Sequence, residues 1–144
     1  MRIAIDTNVL IAALTKSAGR SARIIAAWLD GEIDVVVSEA TVREAELVLG
    51  GGWLARLAGR ERVESLLESL RTRTLWVTPA VPLADLSLKD EGDARMLEAA
   101  LAGGASHIVT TDREFLSQRG YGGVEFVTPG EFWQVWRGSD RRQA

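Results

Sequence analysis

Apolar residues occur along the chain in two spacings, which together predict alternating strands and helices. Short apolar runs at 2–5, 35–37, 75–77, 108–110 and 124–127 are typical of buried strands. Between them, apolar residues repeat every three to four positions in the stretches 24–29, 42–49, 63–70 and 96–101, which is the spacing of a helix. Strands that alternate with helices predict an α/β fold whose parallel sheet is covered on both faces.

Polar residues, glycines and prolines indicate where these elements end. Ser38 is a suitable cap for a helix that begins at Glu39, and the glycines at 50–52 are expected to end that helix. The sequence Thr-Pro-Gly-Glu at 128–131 has the spacing of a capping box with proline in the first turn. It therefore predicts a last helix that carries Trp133 and Trp136 toward the core.

Length and composition favour one domain. A chain of 144 residues with 47% hydrophobic residues can bury one core, so we predict a domain over 1–137 and a polar C-terminal tail over 138–144. The segment 79–89, with two prolines and no clear period, is the expected long loop. The longest apolar run, 9–14, is too short to span a membrane, and we expect a cytoplasmic protein.

The aromatic residues and the histidine have simple structural interpretations. Trp28 and Trp76 lie on apolar faces, as Trp133 and Trp136 do, and all four are expected in the core. Trp53 follows a glycine break and is the best candidate for an interface. The single histidine, His107, stands at the edge of a strand and is expected to be packed rather than to bind a metal.

Acidic residues recur at the predicted ends of strands and starts of helices. Asp6 follows the first strand, Asp112 follows the strand at 108–110, Asp93 opens the helix before that strand, and Glu44 lies in the helix after the strand at 35–37. In a parallel α/β sheet, ligands bind at the carboxyl ends of the strands. Asp93 and Asp112 have an alternative role as ordinary helix caps.

The type of ligand follows from the donors that the chain offers. A shielded carboxylate such as Asp6 is costly without a positive partner, and no lysine or arginine is adjacent to it in sequence. The chain has no cysteine, so a bound metal would be held by oxygen or by His107. Oxygen ligands select Mg²⁺ or Mn²⁺, ions that suit phosphodiester hydrolysis. The net charge of −3 gives no independent indication of nucleic-acid binding.

Four segments together resemble the PIN domain family, in the branch of toxins from toxin–antitoxin systems. They are Met1–Ile11 with Asp6-Thr7-Asn8, Ser38 with Glu44 six residues on, the run 93–100 that begins with Asp93-Ala-Arg-Met, and the run 107–112 that ends in Thr110-Thr111-Asp112. Their order and spacing are those of the family. The resemblance extends from Met1 to about Trp136.

The resemblance implies a three-layer α/β/α fold with a mostly parallel sheet of about five strands, and metal-dependent cleavage of single-stranded RNA. It places Asp6, Glu44, Asp93 and Asp112 at the catalytic positions, with Asp6, Asp93 and Asp112 as ligands of Mg²⁺ or Mn²⁺. Water would attack the phosphorus in line and leave a 5′-phosphate and a 3′-hydroxyl. A homodimer and a cognate antitoxin protein are implied as partners.

Further residues receive supporting roles from the same resemblance. Asn8, Thr110 and Glu114 would support the site, Thr110 by a hydrogen bond to the Asp6 carboxylate or to a bound water. Apart from the resemblance, the positions of Arg95 in the Asp93 helix and of Arg113 beside Asp112 make both candidates for binding substrate phosphates, with solvated surface arginines as the alternative.

Three alternatives stay open at this point. Glu46 competes with Glu44, because the family usually has leucine after the glutamate and here Ala45 follows. A receiver-like phosphoacceptor fits poorly, since that fold needs an acidic pair where Asp6 stands alone. The third alternative is a catalytically silent PIN-like domain that binds RNA or a protein.

Overall fold

Six strands and eight helices make up the part of the chain that this computed structural model describes, residues 1–79 and 91–143, with side chains described through Arg137. The strands are β1 (Arg2–Ile5), β2 (Asp34–Val37), β3 (Leu75–Trp76), β4 (His107–Val109), β5 (Gly120–Tyr121) and β6 (Val124–Val127). The helices are α1 (Thr7–Thr15), α2 (Arg20–Leu29), α3 (Glu39–Leu49), α4 (Trp53–Ala58), α5 (Arg60–Thr72), α6 (Glu91–Ala102), α7 (Arg113–Ser117) and α8 (Pro129–Gln143). Apart from Pro79, the expected loop over 79–89 lies outside the described residues.

The strands form one sheet in the order β3-β2-β1-β4-β6-β5. All neighbours are parallel except β5 and β6, which form a hairpin. The predicted α/β/α architecture with a mostly parallel sheet is therefore confirmed. The sixth strand, β5, was not predicted because its two residues, Gly120 and Tyr121, lie among glycines and form no apolar run. Its turn residues Gly122 and Gly123 have φ values of 58° and 88°, which glycine tolerates and hairpin turns require.

Both faces of the sheet are covered, because side chains along each strand alternate between two cores. Ile3, Val35 and Val109 face the larger core with α1, α2, α3 and α5. Ala4, Val36 and Ile108 face the smaller core with α6 and α7. None of the helices in the described ranges has the length and hydrophobicity needed to cross a bilayer.

Two predicted helix starts are confirmed by their hydrogen bonds. Ser38 Oγ accepts from the backbone N–H of Thr41 at 3.3 Å, and Thr41 Oγ1 accepts from the Ser38 N–H at 2.9 Å. At the start of α8, the Thr128 N–H donates to Glu131 Oε1 and the Glu131 N–H donates to Thr128 Oγ1, both at 3.1 Å. Each pair satisfies two N–H groups that a helix start leaves without partners.

The tryptophans only partly follow the prediction of a core position. Trp28 is buried, as expected, but Trp76 is 43% exposed, and the prediction for it was wrong. The reason is that β3 lies at the edge of the sheet and has only two residues. Trp133 and Trp136 are half-buried at the margin of the larger core. Trp53 is 44% exposed, which leaves its interface role as a prediction.

Candidate functional site

Asp6 and Asp112 lie side by side at the carboxyl edge of the sheet. Asp6 follows β1 directly and is the N-cap residue of α1, while Asp112 is the N-cap residue of α7 after β4. Because β1 and β4 are parallel neighbours, their ends lie together, and the Asp6 N–H donates to the Val109 carbonyl at 2.9 Å. The two carboxylates interact electrostatically.

Thr110 links the two aspartates. Its hydroxyl donates to Asp6 Oδ2 at 2.7 Å and accepts from the backbone N–H of Asp112 at 3.0 Å. Thr110 is completely buried, so its side chain is held in one position by packing. The hydrogen bond expected between Thr110 and Asp6 is present, and it fixes the orientation of that carboxylate.

The surroundings of Asp6 oppose its negative charge. Burial raises the pKa of Asp6, and the charge of Asp112 acts in the same direction. The hydrogen bond from Thr110 and the N–H groups at the start of α1 act in the opposite direction but do not fully compensate. No ion pair to Asp6 occurs among the described residues. A divalent cation would remove this destabilisation.

Asp112 also acts as the helix cap that sequence reasoning offered as an alternative. Its Oδ1 accepts from the backbone N–H of Glu114 at 2.9 Å. Glu114 thus contributes a backbone group, while its side chain is exposed. A cap that engages one oxygen leaves the other oxygen of Asp112 available for a ligand, so the two roles are compatible.

Glu44 and Glu46 have different surroundings. The Glu44 carboxylate lies against Gly92 at the start of α6, so closely that a Cβ on Gly92 would be 2.5 Å from Glu44 Oε1. Glu46 instead forms a bidentate pair with Arg71, with nitrogen–oxygen distances of 2.6 and 2.7 Å. That arginine lowers the pKa of Glu46. Glu44 therefore faces the helix that carries Asp93, and Glu46 faces α5.

Helix α6 carries two buried acids, one in its first turn and one near its middle. Asp93 is 7% exposed and lies in the first turn, where the helix dipole favours a negative charge. Glu98, which sequence reasoning missed, is 6% exposed and forms an ion pair with Arg95 at 3.0 Å. The signal that could have identified Glu98 is its position as a charged residue among Met96, Leu97 and three alanines.

The remaining predicted residues lie near Asp6 and Asp112 or on the surface. Asn8 and Arg113 are exposed in the first turns of α1 and α7. Arg95 is engaged with Glu98, although its Nε is buried without a hydrogen-bond partner. Over the part of the chain that the structure describes, no three acidic or histidine side chains are close enough to hold one metal ion. Mutual repulsion among carboxylates opposes such a group.

Comparison with known proteins gives one family and one fold. Residues 2–114 match a family model described as a PIN domain. No curated protein matches the sequence. Among solved structures, the chain is similar to a chain in the crystal structure of VapBC2 from Rickettsia felis bound to a DNA fragment from their promoter. The TM-score is 0.59 and the identity is 14%, over 88% of this chain and 97% of that chain.

Proposed function

The chain belongs to the PIN domain family, and from that premise we propose that it is a metal-dependent endoribonuclease that cleaves single-stranded RNA. The main support for the proposal is the hydrogen-bonded arrangement in which Thr110 connects Asp6 and Asp112 at the carboxyl edge of the sheet. Two aspartates that are held together and lack a basic partner among the described residues form an arrangement suited to a cation.

The donor set fits Mg²⁺ or Mn²⁺. Asp6 and Asp112 offer carboxylate oxygens, the chain has no thiolate, and His107 lies at the opposite end of β4 from Asp112. We propose that Asp6 and Asp112 would hold the metal directly. Asp93 would act on it through a coordinated water, since no three acids among the described residues lie close enough to hold one ion. Glu44 would complete the shell or orient water. When bound, such an ion lowers the pKa of a coordinated water and offsets the charge of the scissile phosphate.

The chain's own residues would orient the reacting groups. Thr110 holds Asp6 by its hydroxyl, and the start of α7 holds Asp112 by the Glu114 N–H, so neither carboxylate is free to turn away. Asn8 supports the same edge from the first turn of α1. Arg113, exposed beside Asp112, is placed to contact a substrate phosphate, and Arg95 would do so only after it releases Glu98.

We further propose that the protein is a toxin that forms a homodimer and binds a cognate antitoxin in the cytoplasm. The support is the fold shared with a chain of the VapBC2 complex, together with the toxin-like sequence segments around Asp6 and Asp112. An antitoxin that covers the carboxyl edge of the sheet would block access of RNA to Asp6 and Asp112.

A second function is a catalytically silent PIN-like domain that binds RNA or a protein. One observation favours it: within residues 1–79 and 91–137 no three acids form a single metal-binding group. Glu44, however, reaches the helix that carries Asp93, and this approach makes the catalytic function the better supported of the two.

Analysis of cleavage products tests the catalytic proposal. Purified protein is incubated with end-labelled single-stranded RNA and Mn²⁺, beside an Asp112→Asn control, and the ends of the fragments are identified. Attack by water on phosphorus predicts fragments with 5′-phosphate and 3′-hydroxyl ends from wild type and none from the control. A 2′,3′-cyclic phosphate would contradict the proposal, because it arises from attack by the RNA's own 2′-hydroxyl.

A further inference from the structure

Arginine and tryptophan side chains form a row along the seam between α2 and α8. Arg23 lies with its guanidinium 5.9 Å from the centre of the Trp133 ring, and Arg137 lies 5.7 Å from the same ring. Trp136 packs beside Trp133 with ring centres 5.2 Å apart. Arg20 stands one turn before Arg23 at the start of α2. We call these five residues the Arg/Trp row.

The Arg/Trp row begins at the edge of the sheet that carries Asp6 and Asp112. The helix α8 follows the carboxyl end of β6 after Thr128, so its first turn lies at that edge. The side chain of Arg20 lies beside this turn, since a Cβ on Gly130 would be 3.6 Å from Arg20 Cδ. From Gly130 to Arg137 the helix rises about 10 Å. The row therefore leads away from the proposed cleavage site.

The guanidinium groups of the row are available to an anion. Arg20, Arg23 and Arg137 are exposed, and none forms an ion pair with an acid whose side chain the structure describes. The helix α2 contains no acid, and on α8 as far as Arg137 the one acid is Glu131, whose Oε1 accepts from the Thr128 N–H. Contact with the face of Trp133 steadies Arg23 and Arg137 without using their N–H donors.

We propose that the Arg/Trp row binds the phosphates of single-stranded RNA that extends from the cleavage site. Planar guanidinium groups bind phosphate oxygens in pairs, and the half-buried rings of Trp133 and Trp136 offer apolar contact to bases. The direction of the strand rests on the proposed nuclease function, but binding by the row does not depend on cleavage. A positive row also explains how a chain with a net charge of −3 approaches RNA.

Binding measured without cleavage tests the row. The probe is a fluorescein-labelled, single-stranded oligouridylate of about 16 nucleotides, followed by anisotropy in EDTA from about 50 to 300 mM KCl. The double variant Arg23→Gln/Arg137→Gln is compared with Lys16→Gln/Arg56→Gln. The control removes the same charge from exposed positions that, like those of the row, form no ion pair with an acid whose side chain the structure describes. Circular dichroism confirms that each variant is folded.

We expect the row variant to bind about 3- to 30-fold more weakly and to lose roughly 1.4 from the slope of log K against log salt, since two phosphate contacts are removed. The control should change binding by about 2-fold or less. Trp133→Phe, which keeps an aromatic ring under the arginines, should bind more tightly than Trp133→Leu.

Two results would overturn the proposal: equal dissociation constants for the row variant and the control, or no binding of the probe by wild type at low salt. Equal dissociation constants would indicate that the Arg/Trp row contacts a protein partner rather than RNA. Binding that depends on the row in a protein that does not cleave RNA would support the row and refute the nuclease function, so the two failures are distinguishable.

Discussion

Replacing Asp6 with asparagine separates the function of this carboxylate from its effect on the fold. Asparagine has the same shape and keeps an oxygen that accepts the Thr110 hydroxyl, but it carries no charge. Burial raises the pKa of Asp6, with a further contribution from Asp112, so the charged form is less favourable in the fold than in the unfolded chain. We expect Asp6→Asn to be inactive and more stable than wild type when no metal is present.

The size of the effect follows from two opposing contributions. A hydrogen bond to a charged acceptor stabilises by about 1 kcal/mol more than one to a neutral acceptor, and the variant loses this difference. Burying a charge costs several kcal/mol, and for a partly buried group such as Asp6 the cost is a fraction of this. The uncharged asparagine avoids that cost. A net gain of about 1 kcal/mol raises the Tm by roughly 2–4 °C in a protein of this size.

The stability difference between Asp6→Asn and wild type should depend on pH. Because the pKa of Asp6 is raised in the fold, its protonated form supports folding below the ordinary value of 3.8, and this support is lost as the pH rises through the folded value. The Tm difference between Asp6→Asn and wild type should therefore be largest at neutral pH and shrink as the pH falls toward 4.

Thermal unfolding followed by circular dichroism measures this difference in EDTA and again with Mn²⁺. Mn²⁺ should raise the Tm of wild type more than that of Asp6→Asn, since the variant has lost a ligand. Asp30→Asn, the same change at an exposed position, should leave the Tm within about 1 °C. A Tm for Asp6→Asn that lies several degrees below wild type in EDTA would show that the charged carboxylate stabilises the fold, and the reasoning would be wrong.

Two further predictions concern other residues. Glu44→Gln should slow RNA cleavage by about 10²–10⁴-fold, and Gly92→Ala should also slow it because its Cβ would displace the Glu44 carboxylate. Glu46→Gln loses only the pair with Arg71 and should cleave at nearly the wild-type rate. Slow cleavage by Glu46→Gln with normal cleavage by Glu44→Gln would transfer the site role to Glu46. Burial lowers the pKa of His107, so the stability that its neutral form contributes should be full above the ordinary pKa of 6.5 and fall as the pH drops through the pKa in the fold. Measured by urea unfolding, His107→Gln should lose less stability than wild type between pH 7 and 5. Equal losses would show that His107 does not cause the decline.

The strands that the sequence predicted well are those whose apolar run makes up the whole strand. The strands β1 and β6 have the predicted bounds, because all four residues of each run lie in the sheet. The helices α1, α4 and α7 were not predicted. Helices α4 and α7 have six and five residues, which give less than two turns of periodic pattern. Helix α1 contains the continuous apolar run 9–14, which shows no polar face and therefore no helical period. Trp76 was misplaced because an apolar residue in a strand gives no sign of whether that strand lies at the edge of the sheet.

The site was predictable to the extent that it depends on positions after strands. Asp6 and Asp112 follow β1 and β4, and the parallel pairing of those strands brings them together. The approach of Glu44 to Gly92 depends on how α3 packs against α6, which the spacing along either helix does not determine. Glu44 and Glu46 flank the same apolar stripe, so the structure was needed to show that they face different neighbours.

Cleavage of single-stranded RNA as a function of Mn²⁺ concentration shows whether Asp6 and Asp112 act through a bound metal. Wild type, Asp6→Asn, Asp112→Asn and the matched Glu46→Gln control are compared at equal concentration, with EDTA as the zero-metal point. Cleavage should rise with Mn²⁺ to saturation in wild type and Glu46→Gln, and it should be absent in EDTA and in either aspartate variant. Undiminished cleavage by wild type in EDTA, or by Asp6→Asn at saturating Mn²⁺, would refute metal-dependent cleavage at this site.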